Sequence, residues 1–272
     1  MGIAVCIALG ALMGAMLCFP GEAAAAAVSA MRLWALSVIP LLGPFLFCAQ
    51  VLAQKLRPPF AAQMGLCLCC GSPGGAKLMQ RPDLEKREAL RRAALTGTVS
   101  PTFFMGAVSQ WLGSTRQGAL LFVCHVMGAL LTGMLFRGSS NRKKTPPLPA
   151  RSCVSLIRDT ALALPPVCLC MMLGSVSAKM VSCALPRLPA AVIASLQCLL
   201  EITAGTKALI ALGTPWLFPL LCAAVSFGGL SILLQNAAVW RESGVSVRQL
   251  CVLRLCHALL SAGLGALVTW AL

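Results

Sequence analysis

The chain has 272 residues, of which 58% are hydrophobic and 11% charged, against about 25% charged in a typical soluble domain. Tyr is absent, and 22 Lys and Arg stand against 7 Asp and Glu, a formal net charge of +15. Such an alphabet cannot cover a water-facing surface, so soluble enzymes are excluded and an all-α polytopic membrane protein is expected. The cations are spread through short stretches between apolar runs. That is the pattern of loops held on the cytoplasmic side, and basic loops meet anionic lipid headgroups without any nucleic-acid partner.

A spanning helix needs about 20 apolar residues. Residues 3–19 form the first candidate, with Gly10 and Gly14 at a spacing that permits close helix packing. No basic region precedes the run, which speaks against a cleaved signal peptide. Residues 22–37 read as an interfacial or tilted helix, and 38–53 as an apolar segment broken by Pro40 and Pro44. The apolar run 60–79 is interrupted by Gly71, Ser72, Pro73, Gly74 and Gly75, which end a straight helix and free backbone groups.

Residues 81–92 make a charged loop or short helix, followed by apolar segments at 93–111, with Ser100 and Pro101 inside, and 118–136. The longest polar stretch is 137–158, with Arg137, Arg142, Lys143, Lys144, Arg151 and Arg158 beside Pro146, Pro147 and Pro149. A span kinked at Pro165 and Pro166 covers 161–178. Residues 189–200 then lead into the polar interruption Glu201 to Lys207. An apolar run at 208–227 carries Pro215 and Pro219, and 250–272 reads as a clean closing span. In all, about six to eight crossings are expected, with two re-entrant pieces. The chain reads as one membrane domain: a first repeat over about 38–136, a basic cytoplasmic linker at 137–158 and a second repeat over about 159–272. The loops at 81–92 and 137–158 hold five and six Lys and Arg, with two segments between them, so both are placed in the cytoplasm. In the second half, Lys179, Arg187, Arg241 and Arg248 do not separate cleanly by side, which leaves open the face from which the second hairpin enters.

Most of the fifteen cysteines lie in apolar runs, where Cys serves as a small hydrophobe. Cys67 and Cys70 form a C-x-x-C without a second ligand pair, so no metal site and no cofactor is expected. His125 and His257, each in an apolar run, read as interhelical polar residues. No phosphate-binding glycine motif and no nucleophile–base pair is visible, so the chain is not read as an enzyme.

Two broken segments stand out. One carries Gly71, Ser72, Gly74, Gly75 and Lys77; the other carries Glu201, Thr203, Gly205 and Lys207. Each is followed by a further break, at Thr98 to Pro101 and at Ser226 to Ser231. Gly- and Pro-interrupted segments at corresponding places in two halves point to a transporter's substrate site, where half-helix N-termini favour anions. An ionisable group at membrane depth costs at least ~2.5–3.5 kcal/mol and faces a cavity or a partner. The bland reading is that both lysines snorkel to an interface and Glu201 caps a helix end.

These motifs resemble the YlbJ-type (SpoVV-like) sporulation integral membrane proteins, which share the nucleoside-recognition Gate domain with concentrative nucleoside transporters. The resemblance runs from about residue 36 to the C-terminus. It rests on Gly71 to Lys77, on Ser100 to Phe103 with Gly106 to Val108, on Glu201 to Gly205 with Lys207, and on Ser226, Gly228, Gly229, Ser231 and Ile232 with Gln235. The chain departs from the family at Ser72, where an aromatic is usual, at Thr96 to Pro101, which lacks an Asn, and at Ala204, where Asn is frequent. The resemblance implies a transporter in a bacterial cell membrane around the developing spore, moving dipicolinate, a small planar dianion. In that reading Lys77 and Lys207 supply counter-charge, the glycine-run N–H groups bind carboxylate oxygens, and Glu201 couples a proton or cation. Ser72, Ser100, Thr203, Ser226 and Gln235 offer hydrogen bonds. The partners are then the lipid bilayer and the anion, with a homo-oligomer or other sporulation membrane proteins besides. The alternatives are a nucleoside or ion permease sharing the Gate fold and a non-transporting structural sporulation protein.

Overall fold

The computed structural model describes residues 2–56, 58–136 and 151–271. Most of the basic linker, including Lys143 and Lys144, lies outside the described residues. Among those described there are helices and no strands. Five helical runs are long and apolar enough to cross a membrane: Pro20–Leu56, Thr115–Leu135, Cys153–Ala184, Leu217–Ser243 and Val247–Ala271. Large apolar side chains such as Val154, Leu259 and Trp270 point outward, while Thr98, His125, Ser226, Asn236, Arg254 and His257 are buried. This is a polytopic membrane protein: its apolar side chains face outward and its polar ones face each other.

At the N-terminus, α1 (Ile3–Cys18) buries none of its residues. A Cβ added at Gly10 or Gly14 would meet nothing within 4 Å, so the close packing that their spacing permits is not made among the described residues. The helix α2 (Pro20–Leu33) does not stop where a break was expected. It continues through a π-helical turn, Trp34–Val38, into α3 (Ile39–Leu56). Pro40 has no N–H for the Leu36 carbonyl, and the wider turn takes up that mismatch. Likewise α9 (Cys153–Ala184) runs 32 residues through Pro165 and Pro166. The Trp34 indole donates to the Leu164 carbonyl (3.1 Å) and ties these two long runs together.

The remaining elements repeat an order. After α3 come the short pair α4 (Phe60–Cys70) and α5 (Gly74–Met79), the interrupted path α6 (Lys86–Leu95), a π turn (Phe103–Val108) and α7 (Ser109–Leu112), and then the long α8 (Thr115–Leu135). After α9 come the short pair α10 (Ala190–Leu200) and α11 (Ile202–Leu212), the interrupted path α12 (Leu217–Phe227) and α13 (Gly229–Trp240), and the long α14 (Val247–Ala271). The two runs interlock, with α6 packing on α14 and α12 on α8. Gly128 makes room between α8 and α14, where an added Cβ would lie 3.1 Å from His257 Cδ2.

The basic residues of the 81–92, 151–158 and 241–248 segments gather at one end. Ser243 Oγ donates to the Arg81 carbonyl (2.8 Å), Lys86 donates to the Gly244 carbonyl, and Lys77 Nζ donates to the Asp159 carbonyl (2.8 Å) near the start of α9. Arg241 and Arg248 therefore lie beside the 81–92 segment, a placement the sequence left open. The pair α4–α5 starts and finishes at this end. The pair α10–α11 starts and finishes at the other, where α9 ends and where Lys207 lies over the Trp111 ring (4.9 Å). The two hairpins enter from opposite ends.

Candidate functional site

Four interruptions of helix meet inside the bundle. The first, between α4 and α5, is made by Gly71, at φ +64°, Ser72 and Pro73. A Cβ on Gly71 would fall 2.6 Å from the Ser100 backbone nitrogen, so only glycine fits. The Ser72 N–H donates to the Thr98 carbonyl (2.7 Å), and Asn236 Nδ2 donates to Ser72 Oγ (2.6 Å). Backbone freed by the first break is thus paired with the second, residues 96–100, as burial in an apolar medium demands.

The third interruption is the single extended residue Glu201, between α10 and α11. Its Oε2 accepts the Ala204 N–H at 2.7 Å and caps α11. The fourth is Gly228, at φ +78°, between α12 and α13. Gly229, at φ +71°, sits so close to the third break that a Cβ would lie 3.0 Å from Glu201 N. Gly174 of α9 closes the group, with an added Cβ 2.9 Å from the Leu200 carbonyl oxygen and 3.1 Å from Ser231 Cβ.

One histidine joins the two pairs of breaks. The Val99 N–H donates to His125 Nε2 (2.9 Å), so the neutral ring carries its proton on Nδ1 and donates to Ser226 Oγ (2.9 Å). His257 Nε2 in turn donates to the His125 carbonyl (2.8 Å), with the two rings 4.7 Å apart. Both histidines are interhelical polar residues, as the sequence suggested.

The expected site residues therefore divide. Gly71, Ser72 and Ser100 meet at the first pair of breaks; Glu201, Gly228, Gly229 and Ser231 meet at the second; Ser226 lies on His125, and Gln235 is buried on α13. Gly74 and Gly75 are helical rather than part of the open backbone, and Gly75 packs on Cys67 inside its own hairpin. Gly205 packs on Cys198 in the same way, and Thr203 sits half-buried in the first turn of α11. Four of the glycine-run N–H groups are already used: those of Gly71, Gly75, Gly205 and Gly228 donate to the carbonyls of Cys67, Gly71, Glu201 and Ala224. Lys77 and Lys207 are not brought together. Lys77 is near the end of the bundle that holds the last turn of α8, and exposed Lys207 is near its first turn, about 30 Å away along 21 residues of helix.

Two buried residues escaped the sequence reading. Asn236 holds Ser72, and Arg254 donates through Nη1 to the Gly97 carbonyl in the second break. Residues 250–272 are thus no clean span: an arginine within an apolar run is itself a signal of function.

No family model matches the chain, and neither a characterised protein nor a solved structure matches it.

Proposed function

We propose that the protein is a membrane transporter that moves a small anionic dicarboxylate, dipicolinate by the resemblance drawn above, across a membrane surrounding the developing spore. The observation that carries this reading is the meeting of the four helix breaks, with the α4–α5 and α10–α11 hairpins reaching it from opposite ends. Breaks inside a bundle cost backbone hydrogen bonds, and a chain that served only as an anchor would gain nothing from them. In a transporter they place polar groups at the midplane, where each hairpin closes one side of a shared substrate path. The buried polar residues Thr98, Ser226, Ser231, Gln235 and Asn236, with half-buried Ser72, fit a small polar substrate at that point.

The test is uptake of radiolabelled dipicolinate into proteoliposomes containing the pure protein, with radiolabelled uridine in parallel. Dipicolinate uptake above protein-free vesicles supports the reading. Uptake of uridine alone makes the protein a nucleoside permease. Uptake of neither overturns transport and leaves the structural role in the spore membrane.

A further inference from the structure

Arg254 lies in the eighth position of α14, 5% exposed, inside a 25-residue apolar helix. A buried guanidinium is normally matched by a carboxylate, because leaving the charge unpaired at membrane depth is costly. The chain has only seven carboxylate side chains, and all lie among the described residues. Glu22 pairs with Lys179, Asp83 with Arg81, Glu88 with Arg91 and Arg92, and Asp159 with Arg151. Glu201 caps α11, Glu242 accepts from Gln80, and Glu85 is exposed at the start of α6. None is left for Arg254. Its Nη1 is used on the Gly97 carbonyl, and its Nη2 is buried without a partner among the described residues.

The surroundings are shaped for this group. A Cβ on Gly97 would come within 2.7 Å of Arg254 Cζ and 2.8 Å of Nη2, so the guanidinium lies directly on glycine backbone. The next residue, Thr98, is fully buried and its hydroxyl also lacks a partner, while its carbonyl holds Ser72 of the first hairpin. Beyond Ser72, the Oδ1 of Asn236 is buried and unpartnered as well. A cation with one amino group unspent and a hydroxyl donor without a partner thus flank the break that the α4–α5 hairpin closes.

Resting on the transport reading above, we propose that Arg254, with the Thr98 hydroxyl, binds a carboxylate of the transported anion and is its counter-charge, the role the sequence had given to Lys77 and Lys207. A planar guanidinium offers two parallel N–H donors to a carboxylate, a fit that the point charge of a lysine does not give.

The experiment compares wild type with Arg254→Gln, Arg254→Lys, Thr98→Val and Gly97→Ala. It measures dipicolinate uptake in proteoliposomes, calorimetric binding of dipicolinate to the detergent-solubilised protein, and thermal unfolding without ligand. The expected result for Arg254→Gln is affinity weakened at least about tenfold, with an unfolding temperature no lower than wild type, since an unpaired buried charge has been removed. Arg254→Lys recovers part of the affinity, and Thr98→Val loses a smaller part. Gly97→Ala keeps the charge but displaces the guanidinium, and weakens binding even if Arg254→Gln fails to fold. If Arg254→Gln unfolds at lower temperature while Gly97→Ala binds dipicolinate as wild type does, the arginine is structural and the inference falls. Failure of transport is read separately: wild type that binds dipicolinate through Arg254 without moving it keeps the site and overturns only the transport reading. Wild type that binds no dipicolinate overturns the site.

Discussion

His125 and Ser226, 101 residues apart in the chain, share a 2.9 Å hydrogen bond at the centre of the bundle. The histidine also takes the Val99 N–H, so one ring spans from the second helix break to the residue two positions before the fourth. Replacing Ser226 by Ala strands a buried ring N–H, which costs about 1–3 kcal/mol. The expected outcome is a matching fall in stability during unfolding in mixed detergent micelles. A Ser226→Ala protein as stable as wild type would mean that the ring finds another acceptor and that the two halves are not joined here.

Glycine roles can be separated by position. Gly71→Ala combines a positive φ with a Cβ 2.6 Å from Ser100 backbone and is expected to abolish folded protein. Gly14→Ala adds a methyl to open space on a helix, where alanine is favoured by roughly 1 kcal/mol, and is expected to leave yield and stability unchanged or raised. Size-exclusion profiles after solubilisation compare the two. Monodisperse Gly71→Ala protein would show that the first break can rearrange.

The lysines should behave unequally. Lys77 ties α5 to the Asp159 carbonyl, so Lys77→Gln loosens the first hairpin from α9 and is expected to slow uptake. Lys207 is exposed over Trp111, a contact worth roughly 0.5–1 kcal/mol, and Lys207→Gln is expected to transport close to the wild-type rate. Uptake rates normalised to protein level decide between them. Equal, severe losses would return both lysines to one shared role.

Outside the bilayer, Glu88 bridges Arg91 (3.0 Å) and Arg92 (2.8 Å) on α6. Burial pushes its carboxyl up, but the hydrogen bonds and charges of Arg92 and Arg91 outweigh burial and hold it below the usual range. A depressed folded-state pKa contributes stability above the unfolded value, and that contribution is lost as pH falls through the folded value. At pH 7 Glu88→Gln is therefore expected to be less stable than wild type, by under about 1 kcal/mol because the pair is partly exposed. The two proteins should converge in acid, once the pH has fallen below the depressed folded-state value. A difference that persists in acid would place the effect in packing rather than charge.

Orientation follows from the basic end. Residues 81–92, 151–158 and 241–248 are held together there, and the positive-inside rule places such an end in the cytoplasm. A protease site inserted after Lys144 should be cut only from the cytoplasmic side. Cutting in sealed cells by external protease would invert the map.

The membrane class, the long spans expected at 118–136, 161–178 and 250–272, and the sites of all four breaks were legible because hydropathy and Gly or Pro punctuation are local properties. Gly71 to Pro73, Glu201 and Gly228 interrupt helices where their residue types say they should. Proline proved weaker punctuation: Pro44, Pro165 and Pro166 lie inside continuous helices, because neighbouring turns and helices absorb the lost hydrogen bonds. The sequence alone determined that this is a helical membrane protein with two interrupted hairpins and a cationic excess in its loops. Only the tertiary structure decided that the hairpins enter from opposite ends, that Lys77 and Lys207 are far apart, and that Arg254 is the buried cation without a counter-ion. Those facts depend on which residues distant in the chain are brought into contact, and a carboxylate's partner, unlike a helix break, cannot be read from its neighbours in sequence.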